Sequence, residues 1–460
     1  MSNAQPPLDK YDYPVLRHAE QVTAAATEEY IRAVGTERAV VISAPAGAGK
    51  TGLVGQVVGR IRKHEIRIAV ATPTNQQAFD LVLRLARRHA DELIAFVPAQ
   101  GISLPPSVAM LKNVCQIKAG DAKKQNVVVG TVKKLGDAYS SGALTPFDAL
   151  LIDEAYQVDS SRYYGIAGLA ATHMLVGDPG QLSPFSIIEN PDYWRGLPED
   201  PLQTAVGVLL RNHPSMPLTK LPISRRLDNR AVAVAEVLYP DLTFNSALLP
   251  GSRELVFLSA EKSNRQVRLL DIALDHAALE GWAHLELPAA PVLTTDPGMI
   301  EFICLLVGRL ISRCPVARCE LWRNWNEIPA NRIAVGVSHN DQKNLIRAHL
   351  DAAGHAGVVV ETANKLQGLE FDIVVAWHPM AGLPDPDPFH LDPGRLCVLL
   401  TRHRHACIVL SRAGDRALLD GVPPPTPAYL GWDSDPLLDG WDIHRSVFLA
   451  LERHRFILDT

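Results

Sequence analysis

Short apolar runs recur along the chain, most of them ending at a glycine or a polar turn. The first series is "AVVIS" (39–43), "IRIAVAT" (66–72), "NVVVGT" (126–131), "DALLID" (148–153) and "HMLVGD" (173–178). Near-continuous β-branched strands of this kind suit a parallel sheet covered by helices on both faces. A second series follows: "ELVFLS" (254–259), "APVLTT" (290–295), "NRIAVGV" (331–337), "GVVVET" (357–362), "FDIVVAW" (371–377) and "ACIVLS" (406–411). The pattern predicts two α/β units in series. Prolines interrupt both periods in "RNHPSMPLTKLP" (211–222), so the first unit is drawn over 1–216 and the second over 217–425. The tail, 426–460, holds one helical stretch, "HRSVFLALERHRF" (444–456), read as a cap on the second unit.

Composition removes some functions. The chain has 460 residues, and 45 Lys and Arg face 50 Asp and Glu. A net charge of −5 argues against a bulk electrostatic nucleic-acid binder but allows a local basic groove. No apolar run reaches the roughly 18 residues of a membrane span, so no membrane partner is expected. The polar start, "MSNAQPPLDKYDYP", lacks a signal-peptide core, and a cytoplasmic location is expected. The six cysteines complete no zinc-binding spacing and are read as free thiols. "GRIRKHEIR" (59–67) and "RLARRH" (84–89) are read as solvated helix faces, and Trp322 and Trp325 as packing residues.

Candidate chemistry begins where the first strand runs into "APAGAGKT" (44–51) and then a helical "GLVGQVVGRIRK". In this strand–loop–helix, the backbone of Ala46, Gly47, Ala48 and Gly49 can turn N–H groups around phosphate oxygens. Lys50 supplies a point charge, and Thr51 offers a hydroxyl to Mg²⁺. Alanine stands at 44, where the strict pattern has glycine. A hundred or so residues on, "ALLIDEAYQV" ends a buried strand in Asp153 and Glu154. Beside a phosphate loop, Asp153 would hold the metal and Glu154 would polarise the attacking water. ATP and Mg²⁺ are the cofactors this pattern calls for.

A third strand ends in "VGDPGQLSPF" (176–185). With "APAGAGKT" and "DEAYQ", it resembles the superfamily 1 helicases, closest to the up-frameshift-type (superfamily 1B) DNA/RNA helicases. Other motifs follow in family order. "VATPTNQQAFDLV" (70–82) resembles motif Ia and "VVVGTVKKLG" (127–136) motif Ic. "PLTKLPISRRLDNRAVAVAEVLYPDLTF" (217–244) resembles the motif IV region, "VVVETANKLQGLEFDIVVAW" (358–377) motif V, and "DPGRLCVLLTRHRHACIVL" (392–410) motif VI. The resemblance implies an α/β fold of two tandem RecA-like P-loop NTPase domains with parallel central sheets. ATP would lie between them, and single-stranded DNA or RNA would cross both.

The resemblance also assigns roles. Gln21 would read the adenine edge. Gln181 would sense the γ-phosphate and link the domains, and Arg225 and Arg402 would reach that phosphate from the second domain. Gln367, Gly368 and Glu370 would add the second domain's nucleotide contacts. Thr74, Asn75, Thr131 and Thr362 would bind the nucleic-acid backbone, and Gln342 resembles a further coupling position. Three departures stand out: Ser224 replaces the usual motif IV aromatic, Cys397 replaces an asparagine, and "GLEF" leans toward the UvrD-like branch. The implied function is an ATP-dependent translocase on single strands, moving 5′→3′ and separating strands. The alternative is a nucleic-acid-stimulated ATPase serving as motor or switch within a larger assembly of protein partners. In motif VI, Arg402 reads as an arginine finger, while His403, Arg404 and His405 read as cations dressing a helix C-terminus.

Overall fold

The computed structural model describes residues 13–458, except 37, 183, 185–193, 195–199, 201, 222, 260–264, 291–294, 321 and 422–439. Ser183 and Phe185 of "VGDPGQLSPF", and most of "APVLTT", therefore lie outside the described residues.

The first sheet contains β1 (Arg38–Ser43), β2 (Ile68–Thr72), β3 (Ile94–Val97), β4 (Val114–Gln116), β5 (Val127–Thr131), β6 (Ala149–Asp153), β7 (Thr172–Gly177) and β8 (Leu218–Lys220). Their order is β4-β3-β5-β2-β6-β7-β1-β8, and every pairing is parallel. β2, β5, β6 and β7 are buried at every position, as both-face helix cover requires. β8 pairs with β1, so this sheet runs past the division expected after residue 216.

A short ladder joins β9 (Ile223–Ser224) to β10 (Asn245–Ser246). The "ELVFLS" stretch forms β11 (Glu254–Phe257), but not in the second parallel sheet. It pairs antiparallel with β13 (Pro315–Cys319), which pairs with β14 (Trp322–Glu327), in a separate three-stranded sheet. The second parallel sheet contains β12 (Trp282–Leu287), β15 (Ile333–Val337), β16 (Val359–Thr362), β17 (Phe371–Trp377), β18 (His403–Arg412) and β19 (Arg455–Ile457), in the order β16-β15-β17-β18-β12-β19. β12 was hidden in the sequence because His284 and Glu286 break its apolar pattern. Both polar groups are paired, His284 with the Ser411 hydroxyl at 2.7 Å and Glu286 with Arg455 at 2.7 Å. The tail is more than a cap, since its β19 is the edge strand beside β12. Its helix, Gly440–Leu451, buries Val447 and Leu451 against Leu396 and Val409.

His403 and His405 correct the sequence reading. Both belong to β18 and are buried, so they dress no helix end. Burial holds His403 and His444 down to about 3, His284 to about 4, and His378 and His405 well below the ordinary value. The unfolded chain therefore binds protons that these five folded-state rings refuse. Stability should be full above about pH 6.5 and fall as pH drops toward 4, each ring contributing about 1.4 kcal/mol per pH unit. Asp153 and Asp415, both pushed up to about 7 by burial, act in the opposite sense, as do Asp178 and Asp392, but the lowered histidines, His454 at about 4 among them, outnumber these acids. Urea midpoints at pH 7.5 and 5.5 check this, and a higher midpoint at 5.5 would contradict it.

Candidate nucleotide site between the two domains

β1 ends at Ser43, and the chain turns through 44–49 into the helix Lys50–Lys63. Gly47 and Gly49 hold φ of 78° and 90°, where a side chain is strained. A Cβ on Gly47 would also stand 2.5 Å from the Arg226 Cβ and 2.6 Å from the Ser224 hydroxyl. Gly49 caps the helix without a side-chain hydrogen bond, leaving the helix start available to an anion.

Register brings the acids to this loop. Ser43 pairs with Gly177, and Asp153 with Val176, so β1, β6 and β7 end together. Lys50 Nζ lies 3.0 Å from Glu154 Oε2 and 4.0 Å from Asp178 Oδ2. Burial alone would lower the Lys50 pKa, but Glu154, Asp178 and Asp153 outweigh it and raise it. Burial and the Glu154 charge push Asp153 up to about 7. Glu154 itself sits at φ 55°, a left-handed conformation uncommon outside glycine and enriched at functional sites. The Thr51 hydroxyl accepts from Arg84 at 2.8 Å, and the same arginine's charge favours ionised Asp153. Thr51 stands in the first turn of the helix and Asp153 at the end of β6, on the two elements that meet at the loop. Two hard oxygen donors beside a phosphate cradle fit Mg²⁺, which keeps phosphate and water as its other ligands.

The opposite wall comes from later in the chain. Ser224 Oγ donates to Ala46 O at 2.9 Å, and Arg225 donates to Gly47 O from its backbone and to Ala48 O from its guanidinium at 3.1 Å. Serine at 224 is thus a loop support. Tyr239 was not singled out from the sequence. Its hydroxyl accepts from Ala46 N and from the Cys397 thiol, each at 3.1 Å, and donates to Asp178 at 3.1 Å. That use of every lone pair and proton gives Cys397 a polar partner. Tyr239→Phe strands the Ala46 N–H and one Asp178 contact. It should cost about 1–3 kcal/mol, read as a lower urea midpoint; an unchanged midpoint would remove Tyr239 as a clamp.

Gln367 Nε2 donates to Gln181 Oε1 at 2.9 Å, and Gln181 Nε2 bonds Asp178. The predicted link between the halves is therefore a direct amide contact, reaching one bond from the acid beside Lys50. Gly394 permits this approach, because a Cβ there would lie 2.6 Å from Gln181 O. Arg402 is fully buried, with Nε 3.2 Å from Val398 O and a terminal nitrogen 2.9 Å from the Thr401 hydroxyl. Burial raises the Asp178 pKa, opposed by Lys50 and Arg402. Arg226 adjoins Arg225 in the sequence, and the motif register left the two as alternatives. Burial and the Arg402 charge push the Arg226 pKa down to about 10. Arg402, buried, and Arg226, partly buried, share the Thr401 end of one helix and bring two guanidiniums to this region, a charge suited to a polyphosphate.

Arg226 is held by an ion-pair chain. Its Nε meets Glu370 at 3.2 Å, Glu370 meets Arg404 at 2.6 Å, and Arg404 also meets Glu320. Arg253 binds Glu320 with two nitrogens, at 2.8 and 2.6 Å, and donates to the carbonyls of Arg225 and Arg404 at 3.1 Å. Arg404 is therefore a member of this chain rather than a helix-end cation, and Glu370 faces arginines in this arrangement. No local signal could reveal these partners, since Glu320 lies 84 residues from Arg404.

The structure thus brings Lys50, Glu154 and Gln181 together through Asp178, sets Thr51 and Asp153 beside them in sequence and register, and puts Arg225 on the loop carbonyls, while Arg402 bonds Val398 and Thr401. Gly368, at φ 81°, adjoins Gln367. Gln21 is not in this cluster; it is exposed on the helix Tyr13–Ala33, which packs through Ala19 against Ile223. Thr74 and Thr131 cap the helices Asn75–Arg88 and Val132–Ser140. Thr362 begins a short helix without a cap bond, and the Asn75 side-chain Oδ1 is buried without a partner. All four stand at or just past C-terminal strand ends, on the edge where open α/β sheets bind ligands. Gln342 accepts from the N–H groups of Ser338 and His339, a capping role. Trp325 is exposed, with Arg318 over its ring.

Residues 23–200 match one AAA-domain family model and residues 294–414 match another. No curated protein matches the chain. Among solved structures, a PRRSV helicase is 16% identical over 85% of this chain and 54% of its own, with a TM-score of 0.41. An arterivirus nonstructural protein 10 helicase solved with DNA is 13% identical over 86% and 65%, at 0.42. The DUF1998 helicase MrfA, solved with DNA and AMPPNP, is 12% identical over 90% and 52%, at 0.39. The chain spans between about half and two thirds of those chains. In class, the protein is a P-loop NTPase of two tandem RecA-like domains. The two AAA-domain matches fall one in each half of the chain, in keeping with the superfamily 1 resemblance of its motifs. Among the described residues, no helix is long and apolar enough to cross a membrane.

Proposed function

We propose that the chain is an ATP-driven translocase on single-stranded nucleic acid that separates strands, moving 5′→3′. The observation that carries this reading is the cleft itself. Lys50, Glu154 and Asp178 form one charged cluster beside the phosphate loop, the Gln181–Gln367 bond ties Asp178 to the second half of the chain, and Arg225 of that half holds the loop carbonyls. Mg²⁺, held by Thr51 and Asp153, would supply charge neutralisation to bound ATP. Lys50 would bind the outer phosphates, and Glu154 would orient and deprotonate a water. Arg225, Arg226 and Arg402 would spread the charge that develops on the transferred group. Arginines from one domain reaching phosphate on the other make closure depend on the nucleotide, and hydrolysis would relax it. Thr74, Asn75, Thr131 and Thr362 offer short polar groups suited to phosphate and sugar contacts, which position a strand without reading sequence.

Displacement of a labelled strand from duplexes with a 5′ or a 3′ single-stranded tail tests the proposal. ATP-dependent release from the 5′-tailed duplex is expected. Release from the 3′-tailed duplex alone would reverse the polarity. Polymer-stimulated hydrolysis without release from either would replace the proposal with the motor or switch subunit of a larger assembly.

A further inference from the structure

Four side chains form a continuous hydrogen-bonded chain between the candidate general base and the candidate strand-binding edge. Glu154 Oε2 accepts from Lys50 at 3.0 Å and from Gln157 Nε2 at 3.2 Å. The Gln157 Oε1 accepts from Gln77 Nε2 at 3.0 Å. The Gln77 Oε1 in turn accepts from the Thr74 N–H at 3.1 Å and from the Thr74 hydroxyl at 2.9 Å. Thr74 is exposed, whereas both glutamines are partly buried.

We propose that Gln77 and Gln157 are positioning residues that carry strand occupancy at Thr74 to the carboxylate of Glu154; this rests on the polymer-dependent reading above. Each amide has one oxygen and one nitrogen end, and here both point the same way along the chain. A change at one end therefore changes the demand on the next amide. In the described arrangement, one oxygen of Glu154 is shared between Lys50 and Gln157. That sharing fixes the orientation of the carboxylate, and with it the oxygen left to address a water. A backbone phosphate oxygen that takes the Thr74 hydroxyl proton in a hydrogen bond removes that donor from Gln77. Gln77 then keeps only the Thr74 N–H as a donor to its oxygen and can shift about it, and with it Gln157 and its hold on Glu154. The strand thereby retunes the base without touching the nucleotide, and the sole covalent chemistry remains ATP hydrolysis.

One substitution isolates the link. Gln77→Glu keeps an acceptor for the Thr74 N–H and hydroxyl, so the helix cap survives. It replaces the amide donor that faces Gln157 with a carboxylate oxygen. Hydrolysis is measured for full-length wild type and Gln77→Glu, with and without oligothymidylate and oligouridylate, alongside anisotropy of the labelled oligomer. Wild-type stimulation on the order of tenfold is expected. The variant should keep the basal rate and the oligomer affinity but lose the stimulation, and Gln157→Leu should lose it as well. If wild type is stimulated and Gln77→Glu is stimulated equally, the chain carries no coupling and the inference falls. If wild type hydrolyses ATP with no response to either oligomer, the underlying reading falls, and the inference with it. A variant that loses stimulation only because it no longer binds the oligomer also overturns the inference.

Discussion

Glu154→Gln should slow ATP turnover by about 10²–10⁴-fold while leaving ATP affinity nearly unchanged. The amide keeps the size of the carboxylate and an oxygen able to accept from Lys50, which lies 3.0 Å from Glu154. It cannot take a proton from water. The left-handed backbone at φ 55° belongs to the main chain and survives the change. Loss of both turnover and nucleotide binding would point to collapse of the Lys50 environment. Unchanged turnover would remove Glu154 as the base. Single-turnover hydrolysis, with fluorescent-nucleotide titration, separates these results.

Arg402→Lys should cost about 10³-fold or more in turnover, with much smaller effects on strand binding. Lysine keeps a positive charge but loses the planar fork that can bond two oxygens together. Arg402 is fully buried, so Arg402→Ala would also leave a cavity and remove the donors to Val398 O and the Thr401 hydroxyl; lysine is the cleaner probe. In the described arrangement, its guanidinium bonds Val398 O and the Thr401 hydroxyl. Those neutral partners can be exchanged for phosphate more readily than a carboxylate could. Arg226, tied to Glu370, is the contrasting case. Turnover within about threefold of wild type in the lysine variant would show that the fork is not used.

The legible parts of this molecule are those whose demands are local. A loop that must turn its N–H groups inward needs glycine at particular positions, and Gly47 and Gly49 stand there in left-handed conformation. Buried parallel strands must be apolar on both faces, so β2, β5, β6 and β7 could be read directly. Where a strand carries paired polar groups, the pattern fails, and β12 was missed because the partners of His284 and Glu286 lie far along the chain. "RHRH" misled for the same reason. Its alternation suggests a solvated helix end, yet β18 begins at His403 and sends Arg404 to two distant carboxylates. Tyr239 was hidden likewise, since a lone tyrosine has no local pattern, and the paired Arg225 and Arg226 could not be told apart by spacing. The threonines at strand ends carry two duties at once. Thr74 and Thr131 cap helices by geometry and stand on the ligand edge by topology, and spacing alone cannot separate the two roles.

The central claim is that one cleft couples ATP to a nucleic-acid strand. The most direct measurement is steady-state ATP hydrolysis by the full chain with no polymer, with single-stranded DNA and with single-stranded RNA. The account predicts a low basal rate that at least one polymer raises about tenfold, and that Glu154→Gln abolishes in every condition. A rate indifferent to both polymers, or one that persists in Glu154→Gln, would contradict it.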